Sequence, residues 1–415
     1  MKKLYYLLLL FSLSLFRSQI VNIQDSNFKA KLLSANTTNG VAKNSSGQSI
    51  VLDANANSEI EVSEALNVYR LEFYSSNISD ITGITSFSNL TNLKMGSINA
   101  TSMNLNGLNN LQVLDMSSFN ALPTLNISNF NNLQNFKIAF CSNLTTLTLQ
   151  NLPVLSQLTI NTNSSLNNLT ISNFPVLAGI NCTSNNALSN LIIQNCSSAT
   201  GIDLGNNSLS MLQLNTLPLL QNLVLNNNEL TTLNVGTFSN LKSLSAVGNL
   251  LTSADLNANP LLHTVYLSDN QLQNVKIKNA GQNFPSTFQI FDNAPFQYLC
   301  CDADDIAIAT SNINQQGYTS ATVDSSCPAA PMLSTAETLS KYEQISFYPN
   351  PVKDILYFKS KEKAVKAEIF DSSGRILKSQ SINGDSINVS ELSKGNYIIK
   401  FYTKDRFVTQ KFIKN

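Results

Sequence analysis

The chain has 415 residues, enough for two or three domains, with 26 basic and 26 acidic residues and no net charge. Only 13% of it is charged, about half the usual share. A phosphate-binding protein needs a basic face; none is visible, so the composition argues against a nucleic-acid partner.

Residues 1–18 read as a signal peptide: Lys2 and Lys3, then an apolar run from Leu4 to Phe16, with cleavage expected near Ser18–Gln19. No Cys stands directly after that point, which argues against a lipoprotein anchor. No later stretch reaches the roughly 18 apolar residues of a membrane span, so the mature chain is expected to have no transmembrane segment. Six Cys suit an exported protein, where disulfides persist.

Residues 19–67 are expected to form an N-terminal cap, with a short helix around Phe28, Leu32 and Leu33. A stretch from Asp53 to Glu64 has the spacing of an EF-hand loop. Asp53, Asn55, Asn57, the Glu59 carbonyl, Glu61 and Glu64 fall where oxygen ligands for Ca²⁺ belong. Ser58 stands where the loop wants glycine, and Ser49 to Leu52 read as extended, against a full helix–loop–helix. The bland alternative is a capping turn that has lost its metal. A bound ion would hold the cap and do no chemistry.

From residue 68 to 281 the chain repeats every 21 or 22 residues. An L-x-x-L-x-L triplet starts at Val68, Leu90, Leu111, Leu133, Leu155, Leu177, Ala199, Leu220, Leu241 and Leu262. Such a period marks a solenoid whose coils bury their apolar faces only by stacking. In the coil at Leu220, strand alternation turns Leu223 and Leu225 inward, and Asn228 satisfies backbone groups at the corner. Asn163, Asn185, Asn207, Asn249 and Asn270 hold the same slot, with Cys141 as a substitute. In the first three coils the Asn comes one residue later, at Asn77, Asn99 and Asn120, which predicts differently built corners. A second apolar track, such as Leu166, Leu169, Ile171, suggests extended backbone on the far side too.

This pattern resembles the leucine-rich repeat family in a short bacterial form. The resemblance implies about ten coils with parallel β on a concave face. The competing reading, a parallel β-helix, fits the L-x-x-L-x-L-x-x-N spacing less well. The central outward ladder reads Glu72, Lys94, Asp115, Lys137, Thr159, Asn181, Asp203, Val224, Ser245, Tyr266. Its acids alternate with lysines, as cross-strand pairs do. Arg70, Glu72, Tyr74, Lys94, Asp115, Lys137, Phe140, Asp203 and Tyr266 are the candidate ligand-binding residues, with Tyr74, Phe140 and Tyr266 as aromatic anchors.

Residues 282–327 form the second cap. Phe296 to Asp302, then Gly317-Tyr318, are similar to a cap found on exported bacterial leucine-rich repeat proteins. Cys300, Cys301 and Cys327 flank a helix-like stretch, Asp304 to Ile313. One disulfide is expected, from Cys301 or Cys300 to Cys327, with Cys301–Cys327 put forward. Cys182 reads as a small buried hydrophobe.

Residues 328–344 read as a linker and 345–415 as a small antiparallel β-sandwich. The Tyr348-Pro349-Asn350-Pro351 start, the Asp371 to Arg375 turn, the Gly395-Asn396-Tyr397 strand and the basic end, Lys411 and Lys414, resemble the C-terminal sorting domain of the type IX secretion system. That implies contact with the type IX machinery, then release or attachment at the outer face of the outer membrane.

No G-x-S-x-G, H-E-x-x-H, phosphate loop or C-x-x-C appears, and the single His, His263, reads as a surface residue. The fold class expected is mainly β: a leucine-rich-repeat solenoid followed by an antiparallel sandwich. The function expected is adhesion or recognition of an extracellular protein or glycan, with no catalytic residues. The alternative is a secreted carbohydrate-active enzyme on a β-solenoid.

Overall fold

A computed structural model describes residues 19–279, 281–293, 296–327, 346–359, 365–370, 376–382, 384–402 and 407–415. The expected signal peptide (1–18), linker (328–344) and Asp371–Arg375 turn lie outside the described residues. Residues up to Cys327 form one compact unit and those from Pro328 another.

The first unit is a solenoid around a twelve-stranded sheet. The sheet's first strand, Ala42–Lys43, lies antiparallel on Arg70–Leu71. The other strands run parallel and define coils 1 to 11: Arg70–Tyr74, Asn92–Gly96, Val113–Ser117, Asn135–Ala139, Gln157–Asn161, Gly179–Asn181, Gly201–Asp203, Asn222–Val224, Ser243–Ser245, Thr264–Tyr266 and Thr287–Gln289. The register never slips. Leu114 lies beside Phe136, Phe136 beside Leu158, Leu158 beside Ile180, and Leu223 beside Leu244. All of them are buried in one continuous core. Burial of each such side chain stabilises by about 1.5–3 kcal/mol.

There is one coil more than the ten repeats foretold. The eleventh strand sits in the segment read as the second cap. Its inward residue is Phe288, placed beside Val265, so both the aliphatic residue and the 21–22-residue step are lost there.

The far side is extended, with short parallel sheets at Thr124–Ser128 with Thr146–Gln150, at Asn168–Ser172 with Asn190–Gln194 and Gln213–Asn215, and at Ser253–Asp255 with Asn274–Ile277 and Tyr298–Cys301. The buried Asn residues close the corners. Asn228 donates to the carbonyls of Leu204, Leu225 and Asn226 and accepts from the Leu209 N–H at 3.0 Å. Asn249, Asn270 and Asn293 repeat the pattern. The early corners differ as their sequence suggested. Buried Ile98 and Phe119 fill the slot, while Asn99 bonds outside the core to the Ser76 carbonyl.

At the start, Asp25 caps helix α1 (Ser26–Leu33) by accepting from the Asn27 and Phe28 N–H groups. Its second oxygen takes Ser79 and Asp80, tying the helix to coil 1. At the end, Tyr318 donates to the Ile290 carbonyl at 2.7 Å and accepts from the Asn293 N–H. Helix α2 is Val62–Ala65 and α3 is Ile306–Gln315.

The disulfide joins Cys300 to Cys327, which corrects the Cys301–Cys327 pairing. Strand alternation decides it. Leu299 and Cys301 point into the core, so Cys300 faces the other way. Cys141, Cys182 and Cys196 are free and buried; burial, then the Asp203 charge, pushes the Cys182 thiol up to about 12.

The second unit is an antiparallel sandwich of a three-stranded sheet (Ser346–Tyr348, Ile355–Lys359, Ser386–Asn388) and a four-stranded one (Lys366–Phe370, Ile376–Ser381, Gly395–Tyr402, Phe407–Lys414). Leu356 and Phe358 from the first share a core with Ile369, Ile399 and Phe401 from the second. Asn350 Oδ1 accepts from the Ile413 N–H at 2.8 Å, stapling the Tyr-Pro-Asn-Pro entry to the last strand.

Candidate functional site

The parallel register builds the ladder read from the sequence. Glu72 lies beside Lys94, Lys94 beside Asp115, and Asp115 beside Lys137. The row then continues through Thr159, Asn181, Asp203, Val224, Ser245, Tyr266 and Gln289. Lys137 pairs with Asp115 at 3.5 Å. Lys94 makes no ion pair among the described residues. The acids never occupy adjacent rungs, so no close carboxylate pair forms in the row.

Two aromatic residues frame this charged end. Tyr74 is 49% exposed and Phe140 57%. A Cβ on Gly96 would come within 2.8 Å of the Tyr74 ring, so glycine there lets the ring lie across the neighbouring coil. Burial, then the Glu72 and Asp115 charges, pushes the Tyr74 phenol up. Phe140 occupies a corner whose backbone is left-handed, with φ of 59°. The equivalent corners hold Ser118, Thr162, Ser184 and Asn206, small or polar residues that tolerate that conformation better. A bulky side chain held there is an outlier of the kind that gathers at binding sites.

Arg70, Glu72, Tyr74, Lys94, Asp115, Lys137 and Phe140 thus share coils 1 to 4. Asp203 and Tyr266 do not join them. At about 4.8 Å per strand, Asp203 lies about 14 Å beyond Lys137 and Tyr266 about 29 Å beyond. The glycines Gly96, Gly179 and Gly201 were missed as features of this face, because their meaning depends on neighbours in adjacent coils. Four surface depressions among the described residues of the solenoid are open, of about 260 to 580 Å³. His263 is exposed, its Nδ1 2.9 Å from the Thr264 hydroxyl.

The EF-hand-like stretch folds as a loop that opens onto α2 and is preceded by extended chain bridged at Lys43–Ser49. Asp53 accepts from the N–H groups of Asn57 and Ser58. Ser58 adopts φ of 64°, the backbone the missing glycine would have supplied. Glu61 and Glu64 are 5% and 8% exposed. Glu64 accepts from the Ala54 and Glu61 N–H groups, and Glu61 from the Asn57 and Asn55 amides. The hydrogen bond shared with Glu64 holds the Glu61 carboxyl below the usual range, while burial, then that bond, pushes Glu64 above it. Glu59 turns outward to Lys29 at 2.7 Å, leaving its carbonyl as the donor the spacing calls for. The donor set is all oxygen. Among the described residues, no group of three or more His, Cys, Asp or Glu side chains is gathered as a ready metal site.

Residues 346–415 match the secretion system C-terminal sorting domain. No curated protein matches the chain. Among solved structures, an internalin (InlF) of Listeria monocytogenes is similar at 16% identity over 74% of this chain and 97% of that one, with a TM-score of 0.31. The functional domain of InlJ from Listeria monocytogenes is similar at 14% over 96% and 99%, TM-score 0.18. The LRIM1/APL1C complex is similar at 16% over 68% of this chain and 64% of that one, TM-score 0.27. These likenesses are loose; the chain's own register shows a solenoid that fits the leucine-rich-repeat type. The sorting domain marks the protein for the type IX secretion machinery, and so for the cell surface or release from it. Among the described residues no helix is long and apolar enough to cross a membrane.

Proposed function

We propose that this chain is an exported recognition protein that binds an extracellular partner on the concave sheet, and that it does no chemistry there. The observation that carries the reading is the charged, aromatic-framed surface of coils 1 to 4. The row Glu72, Lys94, Asp115, Lys137 offers alternating charge in a fixed register, which gives a partner specificity and orientation. Tyr74 and Phe140 supply rigid, exposed anchors of the kind that dominates binding energy. A protein surface with complementary charges suits this end. An enzyme reading lacks support: the row has no adjacent acids, and the ring of the one His bonds, among the described residues, to a threonine hydroxyl.

Binding of the full chain to extracellular fractions, measured by surface plasmon resonance, tests this. Phe140→Ala and the double variant Lys94→Glu, Lys137→Glu are expected to weaken binding at least tenfold. Asn168→Asp on the far side should leave it unchanged. Equal binding by all variants would remove the concave sheet from the function.

The loop from Asp53 to Glu64 we assign to Ca²⁺, held by the Asp53, Asn55, Asn57, Glu61 and Glu64 side chains and the Glu59 carbonyl. Two buried carboxyls with no basic partner support that reading. The ion would fasten the N-terminal cap to coil 1.

A further inference from the structure

We propose that a notch in the middle of the concave sheet binds one ring of a neutral, hydroxyl-rich saccharide. It rests on the concave sheet being a recognition face, but at a place apart from the charged end. In the column beside the central ladder, Gln157, Gly179, Gly201 and Asn222 lie on successive coils. The two glycines remove side chains between two amides, leaving a depression of about 260 Å³ floored by bare backbone. That is roughly nine water volumes at about 30 Å³ each, space for a single ring. Gln157 Oε1 leans over Gly179, where any Cβ would collide with it. At Gly201 a Cβ would meet nothing within 4 Å, so the floor there is open.

The groups around the floor are uncommitted. Asp203 Oδ1 is fixed by the Gly205 N–H at 3.0 Å, which leaves Oδ2 to accept. Asn181 Oδ1 accepts from the Thr183 hydroxyl at 3.0 Å, which leaves its NH₂ to donate. The side chains of Gln157, Thr159 and Asn222 make no hydrogen bond among the described residues. Elsewhere on the solenoid, exposed Asn110, Asn132 and Asn240 each donate to a carbonyl of the coil before. Planar amides, a hydroxyl and one oriented carboxylate, mixing donors with acceptors, match hydroxyls that both donate and accept. A single carboxylate without a nearby base repels anionic sugars, and Val224 borders the floor with an apolar edge for a sugar's C–H face.

A glycan array of neutral and anionic oligosaccharides, with a peptide array beside it, probed with the full chain and followed by calorimetry on any hit, tests the notch. Neutral glycans are expected to bind. Gly201→Val fills the open floor without touching the fold, and Asp203→Asn removes the acceptor. Each should weaken binding at least tenfold at an unchanged melting temperature, while Asn168→Asp on the far side has no effect. The proposal is overturned if arrays show only anionic sugars or peptides, if no saccharide binds, or if both notch variants bind like the parent. A blank glycan array with partner binding still lost in the Lys94→Glu, Lys137→Glu variant overturns the notch alone.

Discussion

Glu61 and Glu64 place two carboxyls side by side in a buried spot. Their shared hydrogen bond lowers Glu61; burial first, then that bond and the Glu61 charge, raises Glu64. In the unfolded chain a glutamate titrates near about 4.3. A folded value above that means stability that is full at lower pH and lost as pH rises through the folded value. On the proposed assignment, Ca²⁺ would take the place of the retained proton. Its stabilisation should therefore be small near pH 4 and grow toward pH 7. Calorimetric melting of the full chain in millimolar CaCl₂ and in EDTA, at both pH values, measures this. Glu64→Gln should abolish the calcium increment at pH 7, and identical melting of the parent in calcium and EDTA at pH 7 would remove the ion from the loop. The loop's candidate donors were legible as a spacing alone. That Ser58 would take the left-handed turn was not, since a side chain there costs about 1–2 kcal/mol and sequence does not show what holds it.

The corner asparagines act as an element, each serving two coils. Asn228 meets three carbonyls and the Leu209 N–H. Asn228→Ala strands the Leu209 N–H, at about 1–3 kcal/mol, while the carbonyls of Leu204, Leu225 and Asn226 keep Asn207, Asn249 and the Asn206 N–H as partners. A loss of at least about 1 kcal/mol in urea unfolding is expected. Exposed Asn132, with one bond to the Asn109 carbonyl, should change stability by less than about 0.5 kcal/mol when made Ala. Similar effects of the two would mean that the buried row does not hold the corners. The slot was readable because it recurs at the coil period beside aliphatic residues that alternate in and out. Coil 11 was not, because Phe288 falls 23 residues after Val265 and breaks the spacing. The choice between Cys300 and Cys301 needed the phase of their strand, fixed only once Leu299 is seen in the core. The notch was hidden for a related reason. Gly179 and Gly201 are a coil apart in sequence and become neighbours only through parallel pairing.

At the scale of the whole molecule, the solenoid and the sorting segment have their own cores. The solenoid core and the sandwich core are two clusters, one built from stacked aliphatic rungs and the other from residues such as Phe358 and Phe401, whose rings sit 4.8 Å apart. Each unit buries its own apolar surface, so neither needs the other to stay folded. The charge distribution follows the same division: 14 of 26 basic residues lie at or beyond Lys341. That is why the boundary was visible in composition before any strand was placed. Deleting residues 346–415 should therefore leave the solenoid's melting temperature within about 2 °C of the parent, since a ΔΔG of 1 kcal/mol already moves larger domains by about that much. Export should fail, because the segment that matches the sorting domain is gone. Cell fractionation with surface proteolysis reads both outcomes. The truncated chain is expected inside the outer membrane, folded and protected from added protease. Its appearance on the surface would mean that the address lies in the solenoid, and a collapsed melting temperature would mean that the two cores are not independent.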